Sequence, residues 1–303
     1  MNSAVRTRGP QGPLDRHATL GDLVEHALAG SVRRLVEHDH LVRLGDDPEG
    51  VHQARVATRR LRSDLHTFAP VLDTSWDDLR AELGWLGTLL GRVRDADVLV
   101  ARLEERAALL SELDRPCVGV LTQRLRDGRS QDRGALLDAM ASPRYSALLD
   151  RLGVVARAPT VTRDRADLGA RRETRELARR PWQTLRRAIR SLPAHPTDGQ
   201  LHQVRKRAKH ARYALEAITP VAAPSVRQLA ERVSDLQDVL GEHHDAVVAA
   251  SWLRAVATTA VDDPHVAFAA GELAASFSRD ALRRRGDWER SWRRARQRAT
   301  DAF

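Results

Sequence analysis

The chain has one cysteine, Cys117, among its 303 residues. A lone thiol cannot form an intrachain disulfide, a zinc ribbon or any other cysteine cluster, and it suits a reducing cytoplasm. Aromatic residues make up only 4% of the chain, and β-branched or aromatic residues that alternate with polar ones, as in strands, are rare. These absences predict an all-α fold.

Long apolar stretches are also missing. The longest, residues 246–261, is interrupted by Arg254 and is too short to cross a bilayer. Residues 1–16 contain glycine, proline and arginine without the apolar core of a signal peptide, so residues 1–13 are expected to form a disordered tail. The sequence predicts a soluble, cytoplasmic protein without a membrane partner.

The common motifs of catalysis and cofactor binding are absent too. There is no glycine-rich phosphate loop, dinucleotide fingerprint, zinc-protease helix or serine elbow, so we assign no catalytic residue, no cofactor and no enzyme activity. A helix-turn-helix, a zinc module and an aromatic stacking platform are missing as well. Non-specific nucleic-acid binding stays open as an alternative, because phosphate contacts alone supply affinity.

Positive charge is abundant. Lysine and arginine total 50 against 41 acidic residues, which gives a formal net charge of +9 and a pI of about 10.9. Lys206 and Lys209 are the only lysines, so arginine supplies nearly all of the excess. Guanidinium groups make bidentate contacts with phosphates, and this composition favours a polyanionic partner.

Amphipathic periodicity predicts a series of helices in two sets. The first set is expected at residues 20–44, 48–71, 76–93, 95–113, 115–140 and 143–156. The second is expected at residues 165–192, 198–219, 225–240, 243–261 and 264–299, with a break near Gly286. One domain would therefore span residues 14–303, with halves at about 14–156 and 166–303 joined by a linker at about 157–165.

An internal repeat relates the two halves. The segment VHQARVATRRLRSDL starts at Val51, and LHQVRKRAKHARYAL starts 150 positions later at Leu201. The same ungapped shift aligns further pairs downstream: Leu90 with Leu240, Gly91 with Gly241, and Asp95 with Asp245. Asp47 before Pro48, and Thr197 before Gln200, have the form of helix N-caps at equivalent points. The chain thus looks like a duplicated helical unit.

Each copy of the repeat places basic residues on one helix face. At about 100° per residue, the basic side chains of each helix fall within an arc of about 80°: His52, Arg55, Arg59 and Arg62 in the first, and His202, Arg205, Lys209 and Arg212 in the second. We call them the first and second basic stripes. They have few acidic residues at i+3 or i+4, and two such stripes would repel each other without an anion. A solvated surface face is the alternative.

Histidines and aspartates accompany the stripes. His52 and His202 are interpreted either as packed or hydrogen-bonded helix residues or as phosphate contacts, and beside arginines their charged form should be favoured when phosphate binds. Affinity should then rise in acid. Asp95 and Asp245 are expected to be structural, as N-caps of a helix or as partners of a neighbouring arginine.

The dipeptide His244-Asp245 also permits a metal-dependent phosphohydrolase. The matching residues of the first half are Arg94 and Asp95, however, so the two halves share only the aspartate. We therefore assign no metal ligand, and a phosphohydrolase acting on polyphosphate or nucleotides stays as the alternative function.

Two pairs of motifs, VHQARVATRRLR with LGRVRDADVL and LHQVRKRAKHARYALE with LQDVLGEHHDA, resemble those of the CHAD family, the conserved histidine α-helical domain. The resemblance implies two four-helix bundles related by a pseudo-two-fold axis, with a basic groove that binds inorganic polyphosphate or similar polyphosphorylated anions. Carried over by position, both basic stripes and Lys206 would contact the anion, without catalysis. Association with cytoplasmic polyphosphate granules is a further expectation.

Members of that family are often fused to a CYTH triphosphate-tunnel domain. Its Glu-x-Glu-x-Lys strand is absent here, so that enzyme activity is not inferred. The sequence departs from its own repeat at His243 and His244, and it leaves open the role of the arginine-rich residues 283–298 and the oligomeric state.

Overall fold

A computed structural model describes residues 14–15, 17–45, 47–157, 161–260 and 263–303. Within these ranges the chain is all-α, as predicted, and contains isolated β-bridges but no strand. The expected N-terminal tail at residues 1–13, and residues 158–160 of the expected linker, lie outside the described residues. The bridges join Leu72 to Val161 and Thr19 to Gly169, so the chain that follows the first half pairs back onto it.

The described helices are, in order, α1 (Leu20–Leu44), α2 (Pro48–Phe68), α3 (Asp77–Ala107), α4 (Arg115–Ala141), α5 (Pro143–Arg157), α6 (Arg163–Ala166), α7 (Ala170–Arg190), α8 (Asp198–Ile218), α9 (Pro224–Thr259), α10 (Pro264–Arg285) and α11 (Trp288–Ala302). A 3₁₀ turn, Ala69–Val71, follows α2. The break near Gly286 is confirmed, since this residue lies between α10 and α11.

Local sequence explains where the two stripe helices begin. The Asp47 side chain accepts a hydrogen bond from the backbone amide of Glu49, and Pro48 occupies the first turn, where a missing N–H costs nothing. Thr197 and Gln200 form a reciprocal capping box at the start of α8. Both predicted caps are confirmed, and they set α2 and α8 to start at equivalent points of the repeat.

Two predicted helix breaks are wrong. The sequence predicts one after Val93 and one after Leu240, but α3 and α9 run through both positions without interruption. Glycine lowers helix stability without ending a helix when packing compensates for it. Gly91 and Gly241 therefore lie inside long helices, where they face arginines of the stripes.

Apolar side chains form two core clusters that do not divide along the sequence repeat. The larger joins parts of both halves, including Leu61 of α2, Leu86 of α3 and Leu215 of α8, all essentially buried. The smaller joins the C-terminal ends of α3 and α9 to α4 and α10, with a fully buried Phe277 among its members. Because both halves contribute to both clusters, burial of apolar surface holds them together. The arrangement as two four-helix bundles stays a prediction.

The helix that carries the first stripe packs against the helix that carries the second. Helices α1 and α3 flank α2, while α7 and α9 flank α8. The stripe helices are thus supported on both sides, and their basic faces are brought to a shared region. Among the described helices, none has a stretch long and apolar enough to cross a membrane.

Candidate functional site

The two basic stripes meet between α2 and α8. Arg59 donates a hydrogen bond from Nε to the Tyr213 hydroxyl oxygen, 3.1 Å away, and so links the two helices. Burial, followed by the charges of Arg205, Arg59 and Arg55, lowers the pKa of Lys209 to about 7. Arginines of both helices can lower the pKa of Lys209 only if they lie close to it. The region where α2 and α8 meet therefore has a concentrated positive potential.

Asp95 and Asp245 are partners of stripe arginines, not helix caps. The expectation that they cap a helix is wrong, since both lie inside long helices. Arg55 Nη2 lies 3.3 Å from Asp95 Oδ1, and Arg205 Nη2 lies 3.6 Å from Asp245 Oδ1. The other interpretation of these aspartates, as partners of an arginine, agrees with the geometry, and the same pair occurs at matched positions of both repeats.

Glycines of α3 and α9 make room for these arginines. A Cβ on Gly91 would stand 3.5 Å from Arg55 Nε, and a Cβ on Gly241 would stand 3.7 Å from Arg205 Nε. The guanidinium groups thus lie close against helix backbone, at positions that a longer side chain would occupy. This packing gives the Leu-Gly motif of the repeat a structural reason.

Each of these two arginines keeps a donor without a partner. The Nε groups of Arg55 and Arg205 are buried and make no hydrogen bond with any residue that the structure describes. Burial is also the first cause that lowers the pKa of both guanidinium groups. A buried donor without a partner is costly, and an anion between the stripes would satisfy it.

His52 and Arg94 lie together at the N-terminal end of the first stripe. Burial and then the charge of Arg94 lower the pKa of His52. Arg94 is half-buried on α3, where its charge acts on the stripe. The sequence patterns gave it no role at the site, although the repeat alignment pairs it with His244.

His244 takes the equivalent place beside His202. The two imidazole rings are 4.1 Å apart between centroids and tilted by 34°. Burial, then Arg205 and His202, lower the pKa of His244 to about 4. Burial, then Lys206 and Arg205, lower the pKa of His202. Lys206 is exposed at this end of the stripe, so near neutral pH the empty site has two uncharged imidazoles beside its cations.

The C-terminal residues of the two stripes have other neighbours. Arg212 forms an ion pair with Glu216, which is an i+4 residue, at 2.6 Å, and Glu216 also pairs with Arg60 of α2 at 2.7 Å. The expectation of few acidic neighbours is therefore wrong at Arg212. Arg62 lies against Gly84 of α3, with its guanidinium carbon 3.5 Å from the site of a Cβ. The cationic centre accordingly consists of Arg55, Arg59, Arg205 and Lys209.

His243 has a different environment from His244. It is buried, and its Nε2 lies 3.3 Å from Asp198 Oδ1 at the start of α8. It therefore joins α9 to α8 at a place separate from the paired rings of His202 and His244. In the described ranges, no group of three or more histidine, cysteine or acidic side chains is placed to hold a metal ion.

Three residues at the site carried little or no signal in the sequence. Tyr213 joins the stripes, yet its repeat partner is Ser63. Arg102 contacts Asp245 at 3.2 Å from α3, which ties the first half to the second. Glu216 bridges Arg60 and Arg212. Each role depends on long-range packing, which neither periodicity nor the repeat predicts.

Comparison with known families and proteins agrees with the all-α fold. The family model described as CHAD domain matches residues 26–254. The uncharacterized proteins MT2285 and Rv2226 of Mycobacterium tuberculosis are each 32% identical over 263 residues, which is 81% of this chain and 46% of theirs. The chain therefore spans about half the length of these relatives.

Two solved structures are similar along nearly their whole length. PptA from Streptomyces chartreusis has a TM-score of 0.76 at 25% identity, with 91% of this chain and 100% of that chain covered. The CHAD domain from the plant Ricinus communis has a TM-score of 0.71 at 28% identity, with 93% and 96% covered.

Proposed function

This chain belongs to the CHAD domain family, and on that premise we propose that it binds inorganic polyphosphate, or similar polyphosphorylated anions, between its two basic stripes. The family is associated with polyphosphate binding. The residues proposed to contact the anion are His52, Arg55, Arg59, Arg62, His202, Arg205, Lys206, Lys209 and Arg212. The four residues of the cationic centre would carry most of the affinity.

The observation that carries the proposal is the position of Lys209 among three arginines. Burial, and then the charges of the three arginines, lower the pKa of Lys209 to about 7, so the empty site disfavours the charged form of this lysine. An anion placed there offsets this cost, because it attracts all four cations and accepts charge-assisted hydrogen bonds from them. A solvated surface face would instead spread its cations and interleave acids between them.

Asp95 and Asp245 support the same proposal. Their ion pairs with Arg55 and Arg205, at 3.3 and 3.6 Å, are long for charge-assisted hydrogen bonds. A phosphate oxygen could take shorter bonds from the same guanidinium groups, including their unpartnered Nε donors. The aspartates would then hold the arginines in place before the anion arrives and remain at the edge of the site.

We further propose that this role is non-catalytic and that the module positions or sequesters polyphosphate at cytoplasmic granules. No catalytic constellation is recognised in the sequence. The proposal concerns this chain alone, which spans about half the length of its Mycobacterium tuberculosis relatives.

The test is binding of long-chain polyphosphate as a function of salt, for wild type and for Arg55→Ala/Arg205→Ala, with duplex DNA as competitor. We expect the double variant to bind at least tenfold more weakly, and its salt slope to fall by roughly 0.7 to 0.9 for each phosphate that it no longer neutralises. DNA at equal phosphate concentration should not displace polyphosphate from the wild type.

A matched control removes the same charge elsewhere. Arg186 and Arg190 are exposed on α7, so Arg186→Ala/Arg190→Ala should bind polyphosphate as wild type does. Equal losses in both double variants would mean that net charge, not the stripes, binds the anion. Displacement by DNA would favour the nucleic-acid alternative, and phosphate release with Mn²⁺ or Mg²⁺ would favour the phosphohydrolase.

A further inference from the structure

A groove between α7 and α8 lies on a different face of α8 from the second stripe. It has two adjoining cavities, of about 560 and about 250 Å³, and Thr184 and Arg207 line both. Gln203, Arg207 and His210 recur along α8 at steps of four and three residues, so they share one helix face. That face is rotated by well over 90° from His202, Arg205 and Lys209.

The larger cavity suits phosphate groups. Arg187 and Arg207 line it, together with Ser191 and Gln203. Arg187 contacts only neutral oxygens, with Nη2 3.5 Å from Thr184 Oγ1 and Nε 3.4 Å from the Gln183 carbonyl. Within the described ranges, neither Arg187 nor Arg207 forms an ion pair with a carboxylate. Two guanidinium groups without carboxylate partners, beside hydroxyl and amide groups, can donate several hydrogen bonds to a phosphate ester.

The smaller cavity has a different chemistry. Pro70, Leu177 and Pro181 give it apolar walls, and the imidazoles of His66 and His210 lie 5.5 Å apart between ring centroids. Burial is the first cause that lowers the pKa of both histidines, and nearby cations lower it further. Near neutral pH they are therefore uncharged flat rings. Arg180 and Arg207 also line this cavity, but its apolar and imidazole walls suit a planar ring better than an inorganic phosphate chain.

We propose that this groove binds a nucleotide, with its base at His66 and His210 and its phosphates at Arg187 and Arg207. The proposal combines the two chemistries along one groove, whose larger cavity is of the size of a small-molecule site. It does not depend on polyphosphate binding between the stripes.

The experiment is calorimetric titration of the full chain with two probes, ATP and inorganic triphosphate, at a salt concentration where both are soluble. The titrations are made on Arg55→Ala/Arg205→Ala protein, so that the cationic centre between the stripes is weakened. We expect one ATP per chain, with Arg207→Ala and His210→Ala each lowering the affinity for ATP about tenfold. The affinity for triphosphate should fall in Arg207→Ala but not in His210→Ala, because triphosphate lacks a base.

Arg190→Ala is the matched control, since Arg190 is exposed on α7 and does not line either cavity. It should leave both titrations unchanged. Arg187→Ala provides a second variant at the phosphate end if Arg207→Ala lowers the thermal stability.

Three results would overturn the proposal. These are no binding of ATP at millimolar concentration to the Arg55→Ala/Arg205→Ala protein, an affinity for ATP that Arg207→Ala leaves unchanged in that protein, and equal losses of affinity for ATP and for triphosphate in His210→Ala. None of them bears on long-chain polyphosphate binding, which is read from the stripe variants, so failure of one proposal is distinguishable from failure of the other.

Discussion

The guanidinium group of Arg55 lies against the backbone of Gly91, with Nε 3.5 Å from the position that a Cβ would take. This is an ordinary van der Waals distance, so one methyl group fits but a longer side chain does not. The same relationship joins Arg205 to Gly241 at 3.7 Å. Each glycine thus leaves room for the arginine that is proposed to bind the anion.

Gly91→Ala and Gly91→Leu should therefore behave differently. The alanine variant should keep polyphosphate affinity and gain about 0.5–1 kcal/mol of stability, because glycine inside a helix is unfavourable. The leucine variant should displace Arg55 and weaken binding about tenfold. Gly128 of α4 has open space at its Cβ position, so Gly128→Leu is the control for both measurements. Wild-type affinity in Gly91→Leu would show that Arg55 needs no glycine.

The pH dependence of binding should follow Lys209. Its pKa is about 7 in the empty site, and a bound polyanion raises it toward the ordinary lysine value. Binding then takes up a proton above about pH 7, so affinity should fall by at most about tenfold per pH unit as the pH rises toward 9. Lys209→Arg, which stays charged, should remove this slope when affinity is measured between about pH 6.5 and about pH 9.

Lys206 supplies the control for that measurement, because it is exposed and is the only other lysine. Lys206→Arg should keep the wild-type slope. If the slope survives in Lys209→Arg as well, another group takes up the proton, and His52 and His202, whose pKa values are also lowered, become the candidates.

Arginines of one stripe should contribute unequally. Arg212 already pairs with Glu216 and lies 3.8 Å from Asp238, whereas Arg205 has only the longer contact with Asp245. Arg205→Ala should lower polyphosphate affinity about tenfold, and Arg212→Ala should lower it less than about threefold. The measurement is the dissociation constant for polyphosphate of each variant at one salt concentration. Equal losses of affinity would mean that the anion contacts the whole stripe.

Asp64 should make the stability of the fold depend on pH. It is fully buried on α2 and accepts a hydrogen bond from the Ser31 hydroxyl at 2.8 Å, and burial raises its pKa to about 7. The folded state therefore prefers the protonated form. Its stabilising contribution is complete below about pH 4 and is lost as the pH rises through about 7.

Asp64→Asn removes this titration. The midpoint of thermal unfolding should rise relative to wild type by several degrees at about pH 8, with a much smaller difference at about pH 5, since each kcal/mol corresponds to roughly 2–4 °C in a large domain. Ser31→Ala tests the hydrogen bond alone. The same difference at both pH values would contradict a titrating Asp64.

The contact between the rings of Trp182 and Trp292 should contribute to the stability of the fold. Their centroids are 5.1 Å apart, and both residues are buried, one on α7 and the other on α11. Trp292→Ala should lower the free energy of unfolding by about 3–5 kcal/mol, through lost burial and the cavity that remains. Leu113 is 85% exposed, so Leu113→Ala should have no measurable effect in the same denaturant titration. A loss below about 1 kcal/mol would show that α11 contributes little to the fold.

Local sequence patterns predicted the structure well where it depends on near neighbours. The caps at Asp47 and Thr197 are confirmed because a cap is a hydrogen bond within a few residues of the helix start. The same patterns failed at the breaks predicted after Val93 and Leu240. A helix tolerates a glycine when another part of the protein packs against it, and here an arginine from another helix packs against each glycine. Local sequence does not show such a contact.

The sequence by itself determined the all-α class, the starts of α2 and α8, the repeat and the helix face that carries each basic stripe. These follow from helical periodicity and from hydrogen bonds between residues close in the chain. Only the tertiary structure decided which carboxylate or hydroxyl each arginine contacts, such as Arg59 with Tyr213, 154 positions away. The physical reason is that such contacts depend on how the helices pack, and burial of apolar surface drives that packing without specifying polar partners.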